Sequence, residues 1–315
     1  MTRPIIAVFG ATGAQGGAVA RAILRDPQRR FAVRAITRKP GSERAIALAR
    51  LGAEVVAADL DDARSVMRAL EGAHGAYLVT NFWEHCSAER ELAQAYTAAA
   101  AAAQAGVRHA IWSTLEDTRR FLPADGTRMP VLQGKYNVPH LDAKGEADRL
   151  FAQQRVPTTY LRTSFYWDNL IHLGLGPNRE SDGTLALTLP MGAARLPGIA
   201  AEDIGGAAFG IFSRGAEVIG RTIGIAGEHP TGAEMATALA ATLGQPVRYQ
   251  AVTPEQYRAL GFPGAEELGN MFQFKRDFEA DYTAARSVAT SRELHPQLQT
   301  FAAWLARHGA EIPVA

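Results

Sequence analysis

The chain opens on Ile5-Ile-Ala-Val-Phe9, which runs directly into Gly10-Ala-Thr-Gly13-Ala-Gln-Gly16. Five apolar residues in a row fit a strand buried on both faces. Residues 15–25 then follow with a helical pattern. Glycines spaced G-x-x-G-x-x-G between a strand and a helix have a specific physical use. Gly10 permits a tight turn, Gly13 lets the backbone approach a diphosphate, and Gly16 lets the helix pack against the strand. The helix N-terminus then offers N–H groups and a partial positive charge to the phosphates. The chain has 30 glycines, so the trio alone is a weak signal. Its place after the first strand and before a helix points to a dinucleotide rather than to an ordinary Gly-rich turn.

Outward from this turn the alternation continues. Apolar runs at 31–37, 54–58, 76–80, 110–113 and 158–163 predict strands. Amphipathic stretches at 42–51, 63–70, 88–105 and 140–154 predict helices. Such βαβ alternation builds an α/β fold, a Rossmann-type doubly wound parallel sheet. The pattern changes after about Ser164. A hairpin is expected over 183–197 around Pro190-Met-Gly192. Helices are expected near 201–213, 231–243, 254–260 and 296–308, and short strands near 222–226 and 247–252. These readings give a dinucleotide-binding domain over 1–164. A smaller α/β C-terminal domain covers 165–315, partly interleaved with the main sheet.

Composition narrows the function classes. The chain has 315 residues, with 33 basic and 32 acidic side chains for a net charge of +1. That balance gives little electrostatic pull toward nucleic acid or an anionic membrane surface, so direct binding to either is not expected. No run of about 20 apolar residues predicts a transmembrane helix. The single cysteine, Cys86, cannot form an internal disulfide and suits a reducing compartment, with the cytoplasm as the default location. Cys86 follows His85 in a loop and reads either as a reactive thiol or as a plain loop cysteine. The scattered histidines carry no metal-ligand spacing, so no metal is expected.

The second strand ends Thr37-Arg38-Lys39-Pro40. An NAD-selective site carries a carboxylate at that edge for the ribose hydroxyls. Here two cations stand instead, which suits the 2′-phosphate of NADP(H). Asp59 and Leu60 close the third strand, where an acid can accept a hydrogen bond from an adenine amino group. Asp61 or Asp62 suits the N-cap of the next helix. Thr80-Asn81-Phe82 closes the fourth strand, at the carboxyl edge where open α/β sheets bind ligands.

With these residues in view, the chain resembles a known family. Residues 8–17, Thr37-Arg38, Thr80-Asn-Phe-Trp-Glu84, His140-Leu-Asp-Ala-Lys-Gly-Glu146, Tyr166-Trp-Asp-Asn169 and Leu260-Gly-Phe-Pro-Gly-Ala265 resemble the NmrA-like family. This is an atypical branch of the short-chain dehydrogenase/reductases, and the likeness is greatest to its HSCARG-type NADPH sensors. The resemblance covers nearly the whole chain. It implies an NADP(H)-binding Rossmann domain, a smaller C-terminal domain and a cleft between them. It implies cofactor contacts at Gly10, Ala11, Thr12, Gly13, Ala14, Gln15, Arg38, Lys39, Ser42, Asp59, Leu60, Thr80, Asn81, Phe82, Lys144, Tyr166, Trp167, Asp168 and Asn169. The loop Pro40-Gly41-Ser42 departs from the family in offering less positive charge.

Reductases of the wider superfamily use a Tyr-x-x-x-Lys pair one helical turn apart. The tyrosine donates a proton and the lysine holds the ribose. Here Lys144 is present, but His140 stands where the tyrosine belongs. The candidate catalytic set is therefore His140, Lys144 and Tyr166. Tyr166 reads either as a proton donor or as an aromatic packed near the cofactor. Ser113 and Thr114 end the fifth strand, where the superfamily's catalytic serine sits, and read equally as strand-end hydrogen-bonding groups. Two functions are expected on this basis. One is a redox-state sensor and regulator that binds NADP(H) and reports to a protein partner. The alternative is an oxidoreductase: NADPH-dependent reduction of a quinone, enone or imine-like small molecule. The apolar C-terminal helices would serve as a homodimer face or as the core of the smaller domain.

Overall fold

The computed structural model describes residues 3–314. The chain divides into two compact units. The first takes the residues up to Asp117, then His140–Arg162 and Glu202–Ile223. The second takes Thr118–Pro139, Thr163–Ala201 and the residues from Gly224 onward.

The first unit carries β1 (Ile5–Val8), β2 (Ala32–Thr37), β3 (Glu54–Ala57), β4 (Gly75–Leu78), β5 (His109–Thr114) and β6 (Thr158–Arg162). A strand at Thr222–Gly224 flanks β6, and the order then runs β6-β5-β4-β1-β2-β3. Every pairing among β1–β6 is parallel. This is the α/β fold with a doubly wound parallel sheet expected from the alternation. The chain winds outward from β1 through β2 to β3, then returns to β4 on the other side of β1. The strand order therefore reverses between β1 and β4, and the carboxyl ends of these two strands flank a ligand crevice in folds of this class.

The helices are α1 (Ala14–Leu24), α2 (Glu43–Arg50), α3 (Ala63–Leu70), α4 (Ala88–Gln104) and α5 (Pro139–Gln153). Ser42, Asp62 and Ser87 cap α2, α3 and α4 through their side-chain oxygens, which satisfies N–H groups that helix geometry leaves unpaired. On α4 the small side chains of Ala95, Ala98, Ala99 and Ala102 are fully buried and let the helix lie close to its neighbours. Trp112 of β5 lies in the same core, stacked on Phe151 of α5 at 4.8 Å between ring centroids. Helix Ala201–Arg214 returns to this unit, and a Cβ built on Gly205 would stand 2.3 Å from the Ala18 carbonyl of α1. That contact exists only because residue 205 is glycine.

The second unit has a three-stranded sheet in the order Val247–Ala251, Leu185–Leu189, Asn178–Arg179. Here the structure corrects the hairpin expected around Pro190. The antiparallel partner of Leu185–Leu189 lies before it, and Val247–Ala251 runs parallel on its other edge. Pro190 has no N–H with which to continue a ladder. Gly183, at φ +83°, supplies the left-handed residue that the reversal needs. Helix Ala265–Asp277 was not expected from the sequence. Its inward face carries Asn270, whose side chain donates to the carbonyls of Pro130 and Asn137, and Gln273, which donates to Arg128. Polar groups at buried positions erase the apolar period by which a helix is read. The expected helix over 296–308 begins only at Phe301, where Thr300 caps it.

His109 on β5 gives this fold a pH dependence. Its ring lies buried at 2.9 Å from the Thr159 hydroxyl, which donates to the Val218 carbonyl. Burial, helped by the nearby His74, lowers its pKa from 6.5 to about 4. The unfolded chain therefore takes up a proton below pH 6.5 that the folded chain refuses until about pH 4. The contribution is complete above pH 6.5 and is lost as pH falls from there to about 4. It amounts to roughly 3 kcal/mol at 1.36 kcal/mol per pKa unit. Urea unfolding across that window should show a shallower acid loss in His109→Asn than in the parent chain; equal slopes would refute the assignment.

Candidate functional site

The turn after β1 is built as its glycines predict. Gly10 has φ +61°. The Gly13 amide donates to the Gly10 carbonyl at 2.8 Å, closing the turn. A Cβ on Gly16 would stand 2.4 Å from the carbonyl oxygens of both Phe9 and Gly10. Only glycine lets α1 begin this close to the strand. Gly13 is the N-cap of α1 and has no side chain to cap it, and no acidic residue occupies the first turn. The α1 terminus thus differs from those of α2, α3 and α4, whose capping side chains already satisfy a first-turn donor.

Gln15 locks the floor of the turn. Its Oε1 accepts from the Tyr77 hydroxyl at 2.5 Å and from Ser113 Oγ at 2.7 Å. Ser113 is therefore engaged in holding the turn. Thr114 turns the other way: its hydroxyl donates to Asp148 Oδ1 at 2.6 Å and lies 3.1 Å from the Lys144 carbonyl. Thr12 lies 3.2 Å from the Thr37 hydroxyl, and Arg44 donates to the Thr12 carbonyl at 3.2 Å. The Arg44 contact was not foreseen, and it ties α2 to the turn.

The end of β2 carries Arg38 and Lys39, both exposed. The Arg38 guanidinium meets the Glu84 carboxylate at 2.5 Å, and that partner holds Arg38 above the usual arginine pKa. Ser42 spends its hydroxyl on the cap of α2, accepting from Ala45 N at 3.4 Å. Asp59 accepts from the Asp61 amide at 3.0 Å, while Leu60 is half-buried beside it. Of the two acids weighed as helix caps, Asp62 has that role. Asp61 pairs with Arg90 and Gln94, and the Arg90 guanidinium holds its carboxyl below the usual range.

At the end of β4, Thr80, Phe82, His140 and Lys144 are brought together. Lys144 Nζ donates to Thr80 O at 3.1 Å, to Thr80 Oγ1 at 2.6 Å and to Glu91 Oε1 at 2.8 Å. A lysine ammonium has three donors, so this set engages all of them. Thr80 in turn donates to Glu91 Oε1 at 2.5 Å. His85 Nε2 stands 3.4 Å from the other oxygen of Glu91, at ion-pair distance and outside good hydrogen-bond geometry. Glu91 is fully buried, and the Lys144 ammonium also lies 5.2 Å from the Trp112 ring. One helical turn before Lys144, the His140 ring packs 4.9 Å from Trp83 and 5.9 Å from Phe82. Asn81 is exposed. Sequence reasoning missed Glu91 and His85. The available signal was a carboxylate at position 91 on the same α4 face as Ala95, Ala98 and Ala102, where an apolar residue belongs.

Tyr166, Trp167, Asp168 and Asn169 belong to the second unit. The Tyr166 hydroxyl lies 3.2 Å from that of Thr163. Trp167 is fully buried against Phe301 and Trp304, at 5.4 and 6.2 Å between centroids. Asp168 accepts from the Ala201 amide at 2.8 Å, and burial pushes its carboxyl upward. Asn169 opens a single helical turn, Asn169–His172. Among the described residues no helix is long and apolar enough to cross a membrane.

Comparison with known proteins agrees with this architecture. The model of the NmrA-like family matches residues 2–305. The NmrA-like family domain-containing oxidoreductase FrzB of Cladobotryum sp. is 29% identical over 300 residues, covering 89% of this chain and 86% of that protein. Among solved structures, NmrA, a negative transcriptional regulator, in complex with NADP superposes with a TM-score of 0.78. It is 22% identical, with 99% of this chain and 96% of that one covered. The triphenylmethane reductase of Citrobacter sp. complexed with NADP(H) gives a TM-score of 0.74 at 21% identity, covering 96% and 99%.

The Glu91–Lys144 pair is a strong structural test of this site. Removing one partner leaves the other as a buried charge without compensation, which costs about 3–5 kcal/mol. Glu91→Ala should lose stability of that order in urea unfolding. Joint replacement, Glu91→Leu with Lys144→Met, should lose clearly less than the single change. A single change that costs nothing would show that the pair does not form.

Proposed function

This chain belongs to the NmrA-like family, and from that premise we propose that it binds NADP(H) at the Gly10–Gln15 turn and acts as a redox-state sensor and regulator. The observation that carries the binding is the α1 N-terminus. It is uncapped by any side chain, lies behind a turn with no room for a Cβ at Gly16, and stands at the reversal of strand order. The donor set fits the group: amides for a diphosphate, then Arg38 and Lys39 with no carboxylate on β2 for a 2′-phosphate. Asp59 and the edge at Thr80, Asn81 and Phe82 would take the adenosine and nicotinamide halves.

The sensor reading is favoured by what the catalytic positions do. Lys144 has its three donors engaged by Thr80 and Glu91, His140 stands at the tyrosine position, and Ser113 is bonded to Gln15. None of these groups is arranged as a tyrosine–lysine proton donor. In a sensor, NADP(H) would change the exposure of a surface that a regulatory protein reads, which requires different affinity for the states compared. The second reading is a reductase of a quinone, enone or imine-like molecule, favoured by the oxidoreductase name of FrzB and by the Citrobacter reductase. Bound NADPH would supply a hydride; this chain's part would be orientation, with a proton from His140, Tyr166 or water. NADPH consumption with a panel of quinones and carbonyls separates the two: turnover lost in His140→Ala or Tyr166→Phe supports the reductase.

Calorimetry with NADPH and NADH tests the cofactor. The parent chain should prefer NADPH. Arg38→Ala should weaken NADPH binding by about ten- to a hundredfold, the size of a hydrogen bond to a charged group, and leave NADH little changed. A parent chain that prefers NADH would overturn the assignment.

A further inference from the structure

We infer that Glu84 is a specificity-determining residue: its carboxylate occupies Arg38 where a 2′-phosphate would bind, so NADP(H) must displace it and NAD(H) need not. The inference rests on the dinucleotide reading above. The Arg38–Glu84 pair is made at 2.5 Å by side chains 50% and 43% exposed, so it lies within reach of a ligand from solvent. A carboxylate and a phosphate present the same kind of acceptor oxygens to a guanidinium, and the phosphate carries more charge. An exposed ion pair is weak, so exchange is cheap, and the pair acts as a modest tax on one nucleotide only.

Position makes the exchange more than a local event. Glu84 ends the short 3-10 turn Phe82–Glu84, directly after β4. Three backbone bonds tighten it: Glu84 N to Asn81 O, His85 N to Phe82 O and Cys86 N to Phe82 O. These bonds join Glu84 to its neighbours in one short turn. Trp83 packs on His140, and His85 faces Glu91, the carboxylate that holds Lys144. The short turn that carries Glu84 thus also carries the contacts to His140 and to Glu91. Trp83 is also the natural reporter, since Trp112, Trp167 and Trp304 are fully buried while Trp83 is 42% exposed.

The test is calorimetry with NADPH and NADH on the parent chain and on Glu84→Gln, with acrylamide quenching of tryptophan fluorescence. Glu84 is a surface residue, and melting curves will show that the variant folds. The substitution should tighten NADPH by about two- to fivefold and leave NADH unchanged, as expected for removal of an exposed ion pair. In the parent chain NADPH should alter quenching of Trp83 more than NADH does, because only NADPH displaces Glu84. An NADPH-to-NADH affinity ratio that Glu84→Gln leaves unchanged, or quenching that both nucleotides alter alike, overturns the inference while the cofactor reading stands. A parent chain that binds neither nucleotide removes the cofactor reading itself, and the inference with it.

Discussion

Helix α1 can begin where it does only because Gly16 has no Cβ. A methyl group there would lie 2.4 Å from two backbone carbonyls, well inside contact distance. This close approach fixes the start of the helix against the end of β1. The Gly13–Gly10 bond and the Gln15 side chain, bonded to Tyr77 of β4 and Ser113 of β5, then hold the turn against three strands. Sheet and turn define each other, so the geometry at the switch point is a property of the whole first unit and not of a loop.

Around that point three cations each hold an acidic partner. Arg38 holds Glu84, Arg90 holds Asp61, and Lys144 holds Glu91. The three pairs differ in burial, and therefore in consequence. The outer two are exposed and worth little each, so a ligand can exchange with them. The inner one joins a fully buried carboxylate to a nearly buried ammonium, and such a pair is costly to break from one side. A phosphate arriving from solvent would meet pairs that yield, with one behind them that does not.

What the sequence revealed followed from how local each signal was. The glycine turn, the strand run, the cations at Arg38 and Lys39 and the four-residue spacing of His140 and Lys144 all lie within one or two elements. Each was legible from chemistry and period. The partners were not: Glu84 is 46 residues from Arg38 and Glu91 is 53 from Lys144 (by residue number), so their meeting depends on the assembled sheet. The same limit explains helix Ala265–Asp277, whose buried Asn270 and Gln273 answer to backbone carbonyls about 140 residues away. The misplaced hairpin had a different cause. Pro190-Met-Gly192 looks like a turn, but the two glycines at 183 and 192 both have positive φ, and only the ladder decides which one reverses a strand pair.

On the proposed function, the first amides of α1 hold a diphosphate. Hydrogen–deuterium exchange on the intact chain, with and without saturating NADPH, reads those amides directly. Exchange should slow over residues 10–17 and over the segment that carries Arg38, with the three-stranded sheet of the second unit unaffected. Unchanged exchange over residues 10–17, with NADPH demonstrably bound, would contradict it.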